Sequence, residues 1–463
     1  MLYLIFNSNK SNQQEYAMNK KSFMWGAATA SFQIEGGVYE GGRGPSIWDA
    51  YCRIPGRVVN MENGDVACDS YHKYMEDVKL LKELGVDTYR FSIAWPRIQP
   101  NGVGEANPEG IAYYNNLIDA LIANGITPFV TLYHWDLPLD LQICHDGWLN
   151  STITDKFVEF AKICFDAFGD RVKHWITFNE PWCVSTLGYG VGRHAPGRAS
   201  RKEAYIAAHN LLIAHGKTVK LFREGGYDGV IGITNNTEWK EPMTDSEEDI
   251  EAADRAVTFD FGWFTDPVVF GDYPEVMKKR LAGVIPEFTA EESALLKNSV
   301  DFIGLNHYST KYVSETPVEG CLPLSGDIFD DPGVYSWIDP EWEKTQMGWS
   351  FVPWGLRKLL NWIGKRYNNI PIYITENGCA CEGIEDDFRC RYLTEYIDAV
   401  KAAVVEDKVN VAGYFCWSLL DNFEWAFGYA KTFGIIACSP DNTERRPKKS
   451  YYTYKEIIKN SEI

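Results

Sequence analysis

The feature that most constrains the fold of this 463-residue chain is an eightfold alternation of two hydrophobic rhythms. Short apolar runs lie at residues 23–30, 88–93, 127–133, 174–178, 229–234, 300–306, 370–375 and 411–417. Between them, apolar side chains recur one helical turn apart: Tyr74, Val78 and Leu81, then Ile111, Tyr114, Ile118 and Leu121, where Asn124-Gly125 supplies a stop. Further helices are expected at 154–168, 202–224, 354–367 and 386–406. Strands that read as continuous apolar runs, alternating with helices, imply a parallel sheet with its outer face covered. Eight such units predict an α/β fold, a (β/α)₈ or TIM barrel, with elaborated loops at the C-terminal face of the strands. A doubly wound open sheet would want a Gly-rich phosphate turn. Gly36-Gly37 and Gly41-Gly42 do not supply one.

No low-complexity linker or internal repeat interrupts the pattern, so residues 18–463 read as one domain. Residues 1–17 are expected to be a disordered extension. Their apolar run of about six residues is short of a secretory h-region, and no basic segment precedes it. No stretch of about 20 apolar residues would span a membrane. The net charge of −19 argues against nucleic-acid backbones and anionic membrane surfaces as partners. Eleven cysteines, scattered singly apart from Cys379 and Cys381, suit reduced thiols, so a cytoplasmic location is expected. Sequons at Asn150-Ser151-Thr152 and Asn235-Asn236-Thr237 would matter only in a secreted protein, which stays open. Neither paired CxxC motifs nor HExxH occur, so no metal or cofactor is expected. The 16 tryptophans suit a large core and a sugar site equally well.

In such a barrel, chemistry sits where strands end. Those ends carry Gln33 and Glu35, Arg90 and Trp95, His134 and Trp135, and Asn179 and Glu180. Asn306 and Tyr308, Glu376 and Asn377, and Trp417, Asp421, Glu424 and Trp425 complete the set. The strongest signals are TFNEP (177–181) and ITENG (374–378), which place one glutamate after the fourth strand and one after the seventh. Glycoside cleavage needs such a pair. One carboxylic acid protonates the leaving oxygen, while the other carboxylate attacks or activates water. Their environments must push their pKa values apart. The segment 315–346 follows the sixth strand and reads either as a loop shaping the leaving-group site or as a surface loop.

The blocks FMWGAATASFQIEG, YRFSIAWPRI, YHWDLP, TFNEP, LNHYS, MGW, YITENG and WSLLDNFEW, in this order, resemble glycoside hydrolase family 1, the β-glucosidase family, from about residue 22 to 454. The resemblance implies one (β/α)₈ barrel and a retaining reaction through a covalent glycosyl–enzyme intermediate, with Glu180 as acid/base and Glu376 as nucleophile. The carboxylates would then lie about 5–5.5 Å apart. Asn179 resembles the residue that bonds the sugar 2-hydroxyl, and Arg90 and Tyr308 resemble the groups that hold the nucleophile. Gln33, His134 and Glu424 match ligands of the sugar hydroxyls, with Asn306 grouped among the substrate-binding residues. Trp417 and Trp425 match the flanking indoles, and Trp349 resembles the leaving-group platform.

The implied substrates are small β-glycosides or short oligosaccharides with terminal β-glucosyl units, β-galactosyl and β-fucosyl being further candidates. Glu424-Trp425 favours an unphosphorylated sugar. Myrosinase-like relatives replace the acid/base with glutamine, whereas this chain has Glu180. A non-catalytic glycan-binding barrel would typically have lost one or both glutamates, and a metal-dependent hydrolase would want an HxH pair after the first strand. The aglycone and the choice between monomer and dimer stay open.

Overall fold

Eight parallel strands close on themselves: β1 (Met24–Ala28), β2 (Thr88–Ser92), β3 (Thr127–Tyr133), β4 (His174–Asn179), β5 (Val230–Asn236), β6 (Phe302–Asn306), β7 (Ile372–Asn377) and β8 (Val411–Trp417). Each strand pairs with its neighbour in sequence, and β1 closes the ring against β8, from Met24 opposite Gly413 to Ala28 opposite Trp417. This computed structural model describes residues 23–439 and 444–461, so the expectation for residues 1–17 lies outside it. Among the described residues no helix is long and apolar enough to cross a membrane.

The main helices are α1 (Ser70–Leu84), α2 (Pro108–Ala123), α3 (Ile153–Phe168), α4 (Arg201–Glu224), α5 (Glu247–Val257), α6 (Pro353–Arg366), α7 (Asp387–Val405) and α8 (Lys449–Lys459); all but α5 and α8 match expected helices, with somewhat different ends. Local chemistry sets their ends. Pro108 opens α2 behind the Asn107 cap, and Ser200 caps α4 by accepting from Glu203 N. In α3, Phe157, Phe160, Ala161, Cys164, Phe165 and Phe168 fall on one buried stripe against the barrel. Helix α5 and the short helices up to Leu296 lie between β5 and β6, in a stretch the apolar pattern left unassigned.

The barrel holds two layers that face different ways. Its interior is filled by Phe129, Ile176, Phe302, Tyr373 and Phe415, a cluster separate from the larger core between strands and helices. Phe129 sits at its centre, 5.5 Å from Phe302, 5.2 Å from Tyr373 and 5.1 Å from Phe415, all edge-on. Above this plug the inward positions turn polar.

Two strands break the strict in-and-out alternation at their C-terminal ends. In β4, Ile176 pairs with Gly232 and Asn179 with Thr234, so three steps on β4 match two on β5. In β7, Ile374 pairs with Leu305 and Glu376 with Asn306, two steps against one. Each strand carries a one-residue bulge, a device that re-aims the side chains beyond it. Both TFNEP and ITENG coincide with these bulges, and Glu376 lies within β7 rather than after it.

The segment 315–346 is not a bare loop. It carries a 3₁₀ turn (Ile328–Asp330) and a strand (Tyr335–Trp337) that joins Trp239–Pro242 and Thr310–Ser314 in a small three-stranded sheet. That sheet grows from the ends of β5 and β6, beside the barrel mouth.

Phe129 fills the barrel axis, so Phe129→Ala should destabilise the chain by about 3–5 kcal/mol, a large cavity with little room to collapse. A thermal or denaturant midpoint indistinguishable from the unmodified chain would show that the aromatic plug does not stabilise the barrel.

Candidate active site

The polar layer above the plug is organised around Arg90, on β2 and wholly buried. Its Nε donates to Thr131 Oγ1 (3.2 Å) on β3, and its Nη1 to the Thr375 carbonyl (3.0 Å) and Glu376 Oε1 (2.6 Å) on β7. Its Nη2 donates to Asn179 Oδ1 (2.6 Å) on β4. The second oxygen of Glu376 accepts from the Tyr308 hydroxyl at 2.6 Å. Glu180 follows the β4 bulge, held by its own N–H to the Thr234 carbonyl at 2.9 Å. Its carboxyl accepts from Asn306 Nδ2 at 2.8 Å, and the same amide reaches Asn179 Oδ1 at 3.1 Å. Thr375 orients Asn306 by donating to its Oδ1 at 2.7 Å. The two glutamates are therefore tied into one network, Glu376–Arg90–Asn179–Asn306–Glu180.

Their surroundings differ in kind. Glu376 receives a guanidinium and a phenol, one on each oxygen, and both favour its ionised form. Glu180 receives a neutral amide. Burial, reinforced by the charge of Glu376, pushes the Glu180 carboxyl up to about 8. Burial raises Glu376 as well, with Arg90 and Tyr308 pulling it back. One proton shared by the pair therefore resides on Glu180.

Around this pair lie the remaining residues singled out from the sequence. The His134 ring is roughly parallel to Trp417 (5.8 Å, 19°) and to Trp425 (6.0 Å, 16°). Burial and the Arg90 charge keep it neutral. Its Nε2 lies 3.0 Å from Asn179 Nδ2 and accepts from it, which places the ring proton on Nδ1. Gln33 donates through Nε2 to Asn422 Oδ1 and the Phe423 carbonyl, both at 2.9 Å, and lies against Glu424. Burial and the two nearby glutamates push the Glu424 carboxyl up to about 8. Gln33 Oε1, His134 Nδ1 and Glu424 Oε2 are buried without a hydrogen-bond partner in the protein. Buried polar atoms are rarely left so. Three of them within one aromatic-walled pocket are a ready set of acceptor, donor and carboxyl for a polyhydroxylated ligand. Trp349 stands at the side of Tyr308, 5.2 Å away, against Phe433.

The backbone is strained here. Glu180 (φ 48°), Trp135 (φ 79°) and Trp425 (φ 51°) occupy the left-handed region, which costs on the order of 1–3 kcal/mol each. Gly378 in ITENG has a different reason: a Cβ there would lie 1.8 Å from the Trp417 carbonyl oxygen, so only glycine lets β7 and β8 meet at the mouth.

Not every strand-end residue belongs to the pocket. Glu35 pairs with Arg97 and Tyr114, and Trp95 stacks on Phe160 in the outer core. Asn377 bonds the His307 carbonyl and Tyr414, and Asp421 pairs with Lys448. These four fasten loops and helices to the barrel. Conversely, Thr131 and Thr375 touch the central network although their strand sequences read as core. Among the described residues, no three His, Cys, Asp or Glu side chains converge as metal ligands.

A family model described as Glycosyl hydrolase family 1 matches residues 16–463. The chain belongs to glycosyl hydrolase family 1. Rice (Oryza sativa subsp. japonica) beta-glucosidase 6 is 43% identical over 95% of this chain and 90% of its own length. A rice Os3BGlu6 β-glucosidase variant solved in a covalent complex with Glc superposes with a TM-score of 0.90 at 41% identity, covering 95% of this chain and 98% of that one. An aphid myrosinase gives the same TM-score at 42% identity, covering 96% and 99%. The family 1 barrel and its closed eight-strand sheet agree with the strand count made from the sequence.

Protonation of the pocket should be visible in stability. Glu424 holds its proton to about pH 8 when folded, whereas its ordinary value is 4.5. The folded state then binds more protons at this group between those values, so the contribution of Glu424 to stability is greatest below pH 4.5 and falls as pH rises toward 8. Glu424→Gln removes this loss. Its thermal midpoint should exceed that of the unmodified chain at pH 8 and match it near pH 4; equal midpoints at pH 8 would contradict the buried, protonated carboxyl.

Proposed function

We propose that this chain is a retaining, exo-acting β-glucosidase, in which Glu376 is the nucleophile and Glu180 the acid/base. The observation that carries this reading is the division of charge between two buried glutamates tied into one network: a carboxylate held by Arg90 and Tyr308, and a carboxyl whose proton is retained to about pH 8. Ionised Glu376 attacks the anomeric carbon as the glycosidic C–O bond breaks, and Glu180 passes its proton to the departing oxygen. Glu180, now a carboxylate, takes a proton from water as that water displaces Glu376. Asn179, fixed between Arg90 and His134, is placed to bond the sugar 2-hydroxyl, while Gln33, His134 and Glu424 read the other hydroxyls of a terminal unit. Trp417 and Trp425 cover its apolar face, and Trp349 supports the leaving group.

The relative captured with covalently bound Glc supports the covalent route. Its likeness and that of the myrosinase are equal in fold, so the fold does not separate O- from S-glycosides. Glu180 favours O-glycosides, because an acid matters most where the leaving oxygen is a poor leaving group. A non-catalytic glycan-binding barrel is disfavoured, because both glutamates and every group that sets their protons are in place. We also place the protein in a reducing, cytoplasmic compartment, a reading supported by its eleven free cysteines, six of them buried.

Glu376→Gln should lower kcat on p-nitrophenyl β-glucoside by at least about 10³-fold while circular dichroism and thermal midpoint show a folded chain. Substantial residual turnover would move the nucleophile elsewhere. Glu180→Ala should lower kcat/KM about 10²–10⁴-fold on cellobiose and far less on 2,4-dinitrophenyl β-glucoside, whose leaving group needs no proton. Equal losses on the two substrates would remove the acid role.

A further inference from the structure

Beside the barrel mouth, the small sheet and helix α6 border a shallow, open cleft of about 610 Å³. Nothing in the reaction above uses it. Its shape follows from strand alternation. Lys240 and Lys311 turn to one side, onto Glu238 and Asp260. Trp239, Glu241 and Tyr312 line the cleft with Trp354, Lys358 and Asn361 of α6. Gly355 lets the helix approach the sheet, since a Cβ there would lie 2.0 Å from Thr310 Oγ1.

The rings in the cleft are held in place. Trp239 Nε1 donates to Glu241 Oε2 at 2.6 Å, and Tyr312 stacks on Trp342 at 5.0 Å and 19°. Trp342 in turn meets Trp354 edge-on at 6.0 Å. Lys358 Nζ lies over one face of the Trp354 ring, 4.9 Å from its centroid, and the indole is 39% exposed. The charges are balanced within the cleft. Lys358 Nζ donates to Glu241 Oε1 at 2.5 Å, and Arg357 is paired with Asp407 and Glu406. An anionic ligand would find no uncommitted cation here. The chemistry fits a neutral ligand with an apolar face and a rim of hydroxyls, in a volume on the order of that of small-molecule sites.

We propose that this cleft is a second saccharide-binding site, taking a pyranose unit of a neutral β-linked oligosaccharide. The sugar stacks on the face of the Trp354 indole that Lys358 leaves uncovered, and Glu241, Lys358 and Asn361 bond its hydroxyls. The cleft is joined to the catalytic pocket by a short stretch of chain that leads into the strand Thr310–Ser314. Tyr308 bonds Glu376, and Tyr312 lies four residues further on, at most about 13 Å away if that chain were fully extended. The proposal rests on the carbohydrate reading above, and the test separates the two.

The experiment titrates cellotetraose into the full-length Glu376→Gln chain, which cannot turn it over and keeps the catalytic pocket as one binding site. Calorimetry should show one further binding event. Adding Trp354→Ala should weaken that event at least about tenfold, and adding the milder Asn361→Ala, a check against misfolding, should weaken it measurably. In the otherwise unmodified chain, Trp354→Ala should leave kcat/KM on p-nitrophenyl β-glucoside within about twofold. Absence of the further event, or unchanged affinity in both variants, overturns the proposal. So does a dimer in sedimentation that Trp354→Ala dissociates, which would assign the cleft to self-association. Failure of the unmodified chain to hydrolyse p-nitrophenyl β-glucoside would instead sink the β-glucosidase reading, while the titration still judges the cleft.

Discussion

A guanidinium buried inside a barrel must find acceptors for its donors or it is strongly destabilising. Arg90 finds four, on three strands other than its own: Thr131, Asn179, the Thr375 carbonyl and Glu376. Much of the site follows from this one requirement. Satisfying Arg90 fixes the rotamers of Asn179 and Glu376. Asn179 then meets His134 and Asn306, and Asn306 holds Glu180. Burial keeps His134 neutral with help from the Arg90 charge, which also moderates the rise in the Glu376 pKa, so one side chain bears on both geometry and protonation.

The aromatic plug beneath Arg90 is what makes this network dry. Phe129, Phe302, Tyr373 and Phe415 close the barrel from below, so the polar layer rests on an apolar floor. A low local dielectric strengthens each ion pair and raises any carboxyl without a cationic partner. Glu180 and Glu424, both pushed up to about 8, are the visible result. The strained backbones of Glu180, Trp135 and Trp425 lie in the same region, where the surrounding packing over-determines them.

Much of this was legible in the sequence, and for physical reasons. Buried parallel strands are apolar on both faces, so all eight runs stood out, and the site side chains follow directly at their ends. The twelve residues singled out from the sequence lie together at the barrel mouth, in or beside the Arg90 network. What one chain segment cannot reveal is what depends on its neighbour. The bulges in β4 and β7 exist only as a mismatch with adjacent strands. Trp239–Pro242, the sequence WKEP, carries no strand rhythm and becomes a strand only because Thr310–Ser314 runs beside it. Glu35, Trp95, Asn377 and Asp421 share the strand-end address of the residues that line the pocket, and only tertiary packing assigns them to fastening roles.

The extra residue in β4 and in β7 has a consequence for how such a chain can vary. Side-chain direction along a strand has a period of two, so the bulges act as phase shifters, one ahead of each glutamate. A point substitution beside them changes chemistry locally. Loss of one residue would rotate everything downstream by half a period and send the carboxylate to the outside of the barrel with its sequence motif intact. In these two strands spacing is under tighter constraint than identity, and a relative that keeps both motifs but is one residue short would be a fold without a reaction.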